Sequence, residues 1–117
     1  ILSIFAGTPR PVPIFVSMME RHPLGSQSFM PLSDHDWLVV VAPTNADDSA
    51  PNFDGLRCFH ARGDQGVSYA PKVWHHPLLV RQPQDFLIAD RAGPDGEVDS
   101  ANLQEHWEDA PVAVIRL

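Results

Sequence analysis

Short runs of β-forming residues alternate along the chain with polar segments that contain proline. We predict eight strands from this pattern, at Ile1–Phe5, Ile14–Glu20, Gln27–Pro31, Trp37–Ala42, Leu56–Ala61, Pro77–Arg81, Phe86–Asp90 and Pro111–Arg116. Leu38–Ala42 is continuously apolar, which predicts a strand that is covered on both faces.

The segments between the predicted strands leave little room for helices. Twelve prolines are spread over the chain, and proline inside a helix removes a hydrogen bond and clashes with the preceding turn. Thr44–Asp54 and Ala92–Asp99 are rich in turn-forming residues and predict exposed loops. Ser100–Glu108 predicts one short helix with Ser100 as N-cap, or else an irregular turn. The fold class is therefore all-β, with 1–117 as a single sandwich or closed barrel.

Length and charge narrow the function classes. The 117 residues suffice for one domain with a core. Fifteen acidic against eight basic residues give a net charge of -7, which argues against nucleic acid and anionic membranes as partners. No apolar run approaches the roughly 18–20 residues of a membrane helix. The single cysteine, Cys58, excludes an internal disulfide and favours a reducing compartment.

The first residues indicate a strand that is already under way. The chain begins with Ile1 rather than methionine, and Ile1–Phe5 has the composition of a strand. We therefore expect further sequence to precede it.

The main candidate chemistry lies in the stretch from Glu20 to Gln27. Residues two apart in a strand share a face, so Glu20 and His22 point to the same side. A turn at Pro23 and Gly25 could return Gln27 to that side. A small barrel either fills its interior or holds one ligand there, and these polar groups favour a ligand.

A second polar stretch contains two adjacent histidines, His75 and His76. Adjacent strand residues face opposite ways, so only one of them can join Glu20, and we expect His75. The other would be a surface or interface residue. We expect Trp74 to pack in the core, although it and Tyr69 could line the site. Three further histidines have no polar constellation in the sequence and are read as structural: His35, His60 and His106.

The spacing of these residues resembles the two motifs of the cupins, which are jelly-roll (double-stranded β-helix) barrels. Glu20-x-His22-x4-Gln27 has the spacing of the first motif, with Glu and Gln at positions where cupins carry His and a carboxylate. His75 corresponds to the late histidine. Imidazole and oxygen ligands suit divalent Ni, Mn, Fe or Zn. The alternative is a polar network that binds no metal.

A more specific resemblance covers most of positions 1–92. The stretches Glu20–Leu32, Gln65–Tyr69, Val73–Leu78 and Asp85–Leu87 with Asp90-Arg91 resemble the signature of the ureidoglycolate lyase family. The resemblance implies a cupin-fold homodimer of the cytoplasm that splits ureidoglycolate into glyoxylate and urea during allantoin and purine breakdown. The chain departs from the family at Ala70, where a histidine is frequent, and at Ser68, where an asparagine is common.

The resemblance and the chemistry together give hypotheses for individual residues. His22, Gln27 and His75 would bind the metal or, without one, the substrate carboxylate. Glu20 would be the general base or a fourth ligand. The remaining candidates are His75 and Tyr69 for catalysis, and for substrate binding Arg21, Gln27, Trp74, His76 and Arg91.

Two other function classes stay open at this point. One is a non-catalytic or redirected cupin that binds a small hydroxy or keto acid, which the loss of the histidine at Ala70 favours. The other is a structural barrel that serves as an interaction module. Urea release separates the lyase from both, and glyoxylate binding without turnover separates the binder from the structural barrel.

Overall fold

The computed structural model describes residues 1–92 and 104–117 and contains two antiparallel sheets. Within these residues ten strands follow one another along the chain: β1 (Leu2–Gly7), β2 (Ile14–Arg21), β3 (Gln27–Pro31), β4 (Trp37–Ala42), β5 (Arg57–Ala61), β6 (Val67–Tyr69), β7 (Trp74–His75), β8 (Leu79–Val80), β9 (Gln84–Asp90) and β10 (Glu105–Ile115). One 3₁₀ turn, Phe53–Gly55, precedes β5. The all-β prediction is confirmed, and the two sheets agree with a cupin-type barrel.

The strands pair in an order that brings distant segments together. The four-stranded sheet has the order β1-β9-β3-β6. The second sheet has the order β10-β2-β7-β4-β5, with β8 also paired to β4. Consequently β2, which carries Glu20, lies between the last strand of the chain and the short strand that carries His75.

One hydrophobic core lies between the sheets and a second lies on the outer face of the larger sheet. The inner core includes Phe29 and Phe86 from one sheet and Trp37 and Val39 from the other. The outer core consists of residues of the larger sheet, and Phe53 and Leu56 pack against it. Successive residues of β4 alternate between the two cores, which explains why its sequence is continuously apolar.

The structure differs from the prediction mainly in its shortest strands. All eight predicted strands are present, but β6 and β7 were not predicted, because runs of three and two residues give almost no periodic signal. Thr44–Asp54 is a mostly exposed connection as predicted, with Pro51 buried at a single bridge to Thr44. Most of the predicted loop Ala92–Asp99 lies outside the described residues.

The predicted helix Ser100–Glu108 is wrong where the structure describes it. Its last four residues, from Glu105, belong to β10 and pair with β2. The Trp107 ring packs 4.6 Å from that of Phe53, so tertiary contacts override the local helical spacing. Residues 100–103 lie outside the described part of the chain. Among the described residues, no helix is long and apolar enough to cross a membrane.

Candidate active site

The site is built on a row of residues that pair across the larger sheet. Cross-strand partners share a face of the sheet, and here they face the inside of the barrel. In sheet order the row is His106, Glu20, His75, Val41 and Arg57. Gln27 pairs with Asp90 and Tyr69 to form a shorter row in the other sheet. The Tyr69 ring stacks on the His75 ring with centroids 4.0 Å apart, so the two rows meet.

Glu20 and His22 reach the same space because β2 is extended up to its end at Arg21. The chain then turns at Pro23 and Gly25 into β3. Gly25 is required there, because a Cβ atom at this position would lie 2.6 Å from the Cβ of Arg91. The turn therefore brings Gln27 back toward the site on the facing sheet.

A tight turn before β7 positions His75. The amide of Val73 donates to the Ala70 carbonyl, and Lys72 has a positive φ of 71°. Proline second and a positive φ third are the features of a type II turn. The Lys72 amide also donates to the His22 carbonyl at 3.1 Å, which ties this turn to β2.

Glu20, His22 and His75 form the one group of potential metal ligands found among the described residues. Their ligand atoms all lie within 4.8 Å of one another. Nε2 of His75 is 3.7 Å from Oε1 of Glu20, and the two imidazole rings are 5.7 Å apart. His75 and His22 are buried, and the Glu20 side chain is 14% exposed.

The hydrogen bonding of His75 fixes which ring nitrogen is available. Nδ1 lies 3.0 Å from the Val73 carbonyl oxygen, which can only accept, so Nδ1 carries the hydrogen. In the neutral ring Nε2 is then an unprotonated acceptor that faces Glu20. A backbone carbonyl on the second nitrogen is the usual support of a metal-ligating histidine.

Several buried polar atoms at the site are left without a partner. Neither nitrogen of His22, nor Nε2 of His75, nor Oε1 of Gln27 has a hydrogen-bond partner within residues 1–92 and 104–117. Each such atom costs about 1–3 kcal/mol when buried. A divalent ion or an oxygen-rich ligand would satisfy them. Imidazole, carboxylate and amide oxygen are together a ligand set that suits Ni, Mn, Fe or Zn. The residues present therefore fit a metal.

Burial shifts the pKa values of these groups toward their neutral forms. It lowers the pKa of His75 to about 4. It also lowers the pKa of His22, against the opposing effects of the Asp90 charge and of the neighbouring Gln27 side chain. Burial raises the pKa of Glu20, while His106 and a hydrogen bond from Gln104 oppose the shift. Burial and the Glu20 charge raise the pKa of Tyr69, so its hydroxyl stays protonated.

The structure places Arg21, Trp74 and His76 away from this group. Arg21 is buried on the opposite face of β2, and Trp74 belongs to the outer core, as expected for core packing. Nδ1 of His76 is 2.7 Å from the Pro77 carbonyl. His76 is only 3% exposed within the chain, so the expectation of a surface or interface position is wrong for this residue. Arg91 is exposed and covers Gly25 with its aliphatic part.

Three polar residues near the site were missed in the sequence. His106 pairs directly with Glu20, a polar neighbour that its sequence surroundings do not indicate. Gln104 Nε2 donates to Glu20 Oε2 in a short contact. Asp90 pairs with Gln27 and affects the pKa of both Glu20 and His22. The alternation of β10 was the available signal for His106, but the helix prediction concealed it.

A cavity of about 590 Å³ lies beside the site, between β5 and β6. Its lining is mainly apolar and includes Val39, Val41, Phe59 and Tyr69. Ala70 also lines it. Tyr69 therefore separates this cavity from His75, on which its ring stacks.

Comparisons with known proteins agree with the resemblance seen in the sequence. A family model described as ureidoglycolate lyase matches residues 1–115. The ureidoglycolate lyase of Agrobacterium fabrum is 50% identical over 115 residues, which are 97% of this chain and 64% of that protein. That of Burkholderia mallei is 44% identical over 118 residues, covering 97% of this chain and 67% of the relative. Ureidoglycolate lyase 1 of Rhizobium meliloti is 49% identical over 112 residues, or 94% and 61% of the two chains.

The chain thus spans about two thirds of the length of these curated relatives. The match nevertheless includes every residue of the site, from Glu20 to His106. On this evidence, the chain belongs to the ureidoglycolate lyase family.

Proposed function

We propose that this protein is a ureidoglycolate lyase that eliminates urea from ureidoglycolate and leaves glyoxylate, in allantoin and purine breakdown. The observation that carries the proposal is the group formed by Glu20, His22 and His75. Their ligand atoms lie within 4.8 Å of one another, and the nitrogens of His22 and Nε2 of His75 are buried without a hydrogen-bond partner in the described part of the chain. The relatives of the chain bear the name of this lyase.

The reaction requires one proton to leave the carbinol oxygen and one to reach the departing nitrogen. As the O–H bond breaks, its electron pair forms the C=O bond of glyoxylate, and the C–N bond pair leaves with urea. Glu20 accepts the hydroxyl proton in this proposal, because its position lies between those of His106 and His75 in the row across the larger sheet. The raised pKa of Glu20 makes it a stronger base than an exposed carboxylate.

The neighbouring residues orient the substrate. Nε2 of His75 accepts a hydrogen bond, because Nδ1 is committed to Val73. The protonated hydroxyl of Tyr69 is a candidate donor to the leaving nitrogen, held by stacking on His75. The N–H of the His22 ring is available to donate to the substrate carboxylate, whereas Oε1 of Gln27 can only accept, for example from a hydroxyl or N–H group of the substrate.

Glu20, His22 and His75 would hold a divalent ion, with Gln27 as a further oxygen donor. When bound, such an ion polarises the carbinol oxygen and lowers the pKa of its proton. Glu20 would then divide its carboxylate between ion and proton, so the roles of ligand and base compete. The test is activity with and without added metal.

Urea release from freshly prepared ureidoglycolate tests the proposed lyase. We expect urea above the spontaneous rate with wild-type protein and a near-spontaneous rate with Glu20→Gln. Urea formation identical in both proteins would remove Glu20 from the mechanism. Ammonia and carbon dioxide in place of urea would point to a hydrolase instead.

A second candidate is a non-catalytic or redirected cupin that binds a small hydroxy or keto acid. Ala70 favours it, because its methyl group borders the apolar cavity beside Tyr69 at a position where the family often has histidine. Glyoxylate binding without urea release, whichever divalent metal is added, would support this binder over the lyase.

We also propose a homodimer in the cytoplasm, as the family resemblance implies. The exposure of β1 supports self-association, since Leu2 and Ile4 on one face are 69% and 61% exposed and Phe5 on the other is 52% exposed. Light scattering of the protein at micromolar concentration distinguishes monomer from dimer.

A further inference from the structure

Arg21 lies between Glu20 and His22 but points to the opposite face of β2. Its side chain is 4% exposed. Nε donates to Oε2 of Glu105 at 2.9 Å, while Nη1 and Nη2 donate to Oδ1 and the carbonyl of Asp48 at 2.5 and 2.8 Å. The guanidinium also lies 4.5 Å from the centre of the Trp74 ring. Its donors are therefore engaged outside the barrel, where the substrate is not expected.

The partners of Arg21 belong to the segments that surround the site. Trp74 precedes His75 in β7, and Glu105 lies between Gln104 and His106 at the start of β10. These are the two strands that flank β2. Arg21 thus binds, on the outer face, the direct neighbours of residues that meet Glu20 on the inner face.

The backbone pairing of Glu20 is limited on the side of β7. β7 has two residues, and among the described residues its register with β2 consists of the pair Glu20 and His75. On the other side, β10 pairs with β2 without interruption from Glu105 to Glu108, and the register shifts only beyond Glu108. The short ladder with β7 leaves the spacing between Glu20 and His75 dependent on further contacts, which include those of the side chains between these strands.

We propose that Arg21 is a positioning residue that holds β2, β7 and β10 together through Trp74 and Glu105 and thereby sets the distance between Glu20 and His75. The inference rests on the proposed lyase function and replaces substrate binding as the role of Arg21. Lysine cannot reproduce it, since a single ammonium lacks the planar fork that reaches two acidic partners and stacks on an indole.

The kinetic test compares Arg21→Lys with wild type. Misplacement of reacting groups by about 1 Å costs up to about 100-fold in rate, so we expect kcat to fall about 10- to 100-fold. KM should change less than about threefold, because no substrate contact is lost. Arg62→Gln is the matched control, since Arg62 also pairs with an acid, Asp64, but on an exposed turn; it should leave both constants unchanged.

A spectroscopic readout separates positioning from the lyase proposal. In protein with ¹⁵N-labelled histidine and a chelator present, the His75 ring should show the tautomer with hydrogen on Nδ1. We expect Arg21→Lys to shift the His75 resonances and Arg62→Gln to leave them in place. If wild type releases no urea but these shifts occur, the lyase proposal fails and the positioning role stands.

Two results would overturn the inference. A rise in KM with unchanged kcat would return Arg21 to substrate binding, and unchanged kinetics with unchanged His75 resonances would leave it a structural ion pair. If Arg21→Lys does not fold, Glu105→Gln tests the inference instead. This variant removes one partner of Arg21 at a position that is 40% exposed, where a substitution is better tolerated. It should lower kcat and shift the His75 resonances in the same direction.

Discussion

The two faces of β2 carry polar groups of opposite character within three consecutive residues. On the inner face, Glu20 and His22 are largely buried, and both His22 nitrogens lack partners among residues 1–92 and 104–117. On the outer face, Arg21 is as buried but binds Asp48 and Glu105 and stacks on Trp74. The same backbone therefore presents an unsatisfied polar group on one side and a satisfied one on the other.

This difference separates residues that can bind a ligand from residues that stabilise the fold. A folded protein normally pairs its buried polar atoms, and those left unpaired are expected where a ligand completes them. On the outer face, polar side chains bind other side chains of the same chain, and these contacts stabilise the packing of the strands. Inner substitutions should therefore change the rate with little effect on stability, whereas outer ones should change stability as well.

The largest expected effect is that of Glu20→Gln on urea release. Removing a general base typically costs about 10²–10⁴-fold in rate. Stability should hold or rise, because burial disfavours the Glu20 carboxylate that the amide replaces. Steady-state urea release and thermal unfolding measure the two effects. Asp54→Asn, a similar change at an exposed position of the 3₁₀ turn, is the control; a Glu20→Gln rate within threefold of wild type would contradict the assignment.

The next effect is that of His75→Gln on divalent metal binding. Nε2 of His75 is the best oriented donor of the inner group, so its loss should weaken Ni²⁺, Mn²⁺ or Zn²⁺ binding by at least about tenfold. Isothermal titration measures the affinity, and His60→Gln on the exposed strand β5 is the matched control. Equal affinities for the two variants would place the metal elsewhere.

The inner face was largely predictable from the sequence, because its signals are local. Period-two alternation places Glu20 beside His22, and proline and glycine mark the turn toward Gln27. The choice of His75 over His76 also followed from alternation and motif spacing. The eight predicted strands come from the same kind of local pattern.

The outer face and the β10 residues were not predictable, since their partners are far apart in sequence. Arg21 meets Glu105 across 84 residues and Asp48 across 27, and no local pattern encodes either pair. His106 reaches Glu20 only through the register of β10 with β2. The helical spacing around Trp107 was a local signal that long-range pairing overrode.

The third prediction concerns the pH dependence of stability without metal. Burial lowers the pKa of His75 to about 4 in the folded protein, from the ordinary histidine value of 6.5, so protonation favours the unfolded chain. This contribution is complete above pH 6.5 and is lost as the pH falls toward 4. Between pH 7 and 5 we expect a loss of about 2 kcal/mol from this group.

Denaturant unfolding with a chelator at several pH values measures that loss. His75→Gln should flatten the dependence. An equal slope in wild type and His75→Gln would mean that His75 does not titrate as a buried neutral imidazole.

The smallest expected effect is that of Glu105→Gln on stability, at the outer face. Glu105 is 40% exposed and Asp48 remains bound to Arg21, so solvent screening limits the loss to about 0.5–1 kcal/mol. The loss should shrink further in 1 M salt, because exposed charge is screened. Urea unfolding at low and high salt measures both. A loss above about 3 kcal/mol that is insensitive to salt would contradict this expectation. It would show that Arg21 behaves as an uncompensated buried charge once one carboxylate is removed. The outer face would then depend on its charges as strictly as the inner face does.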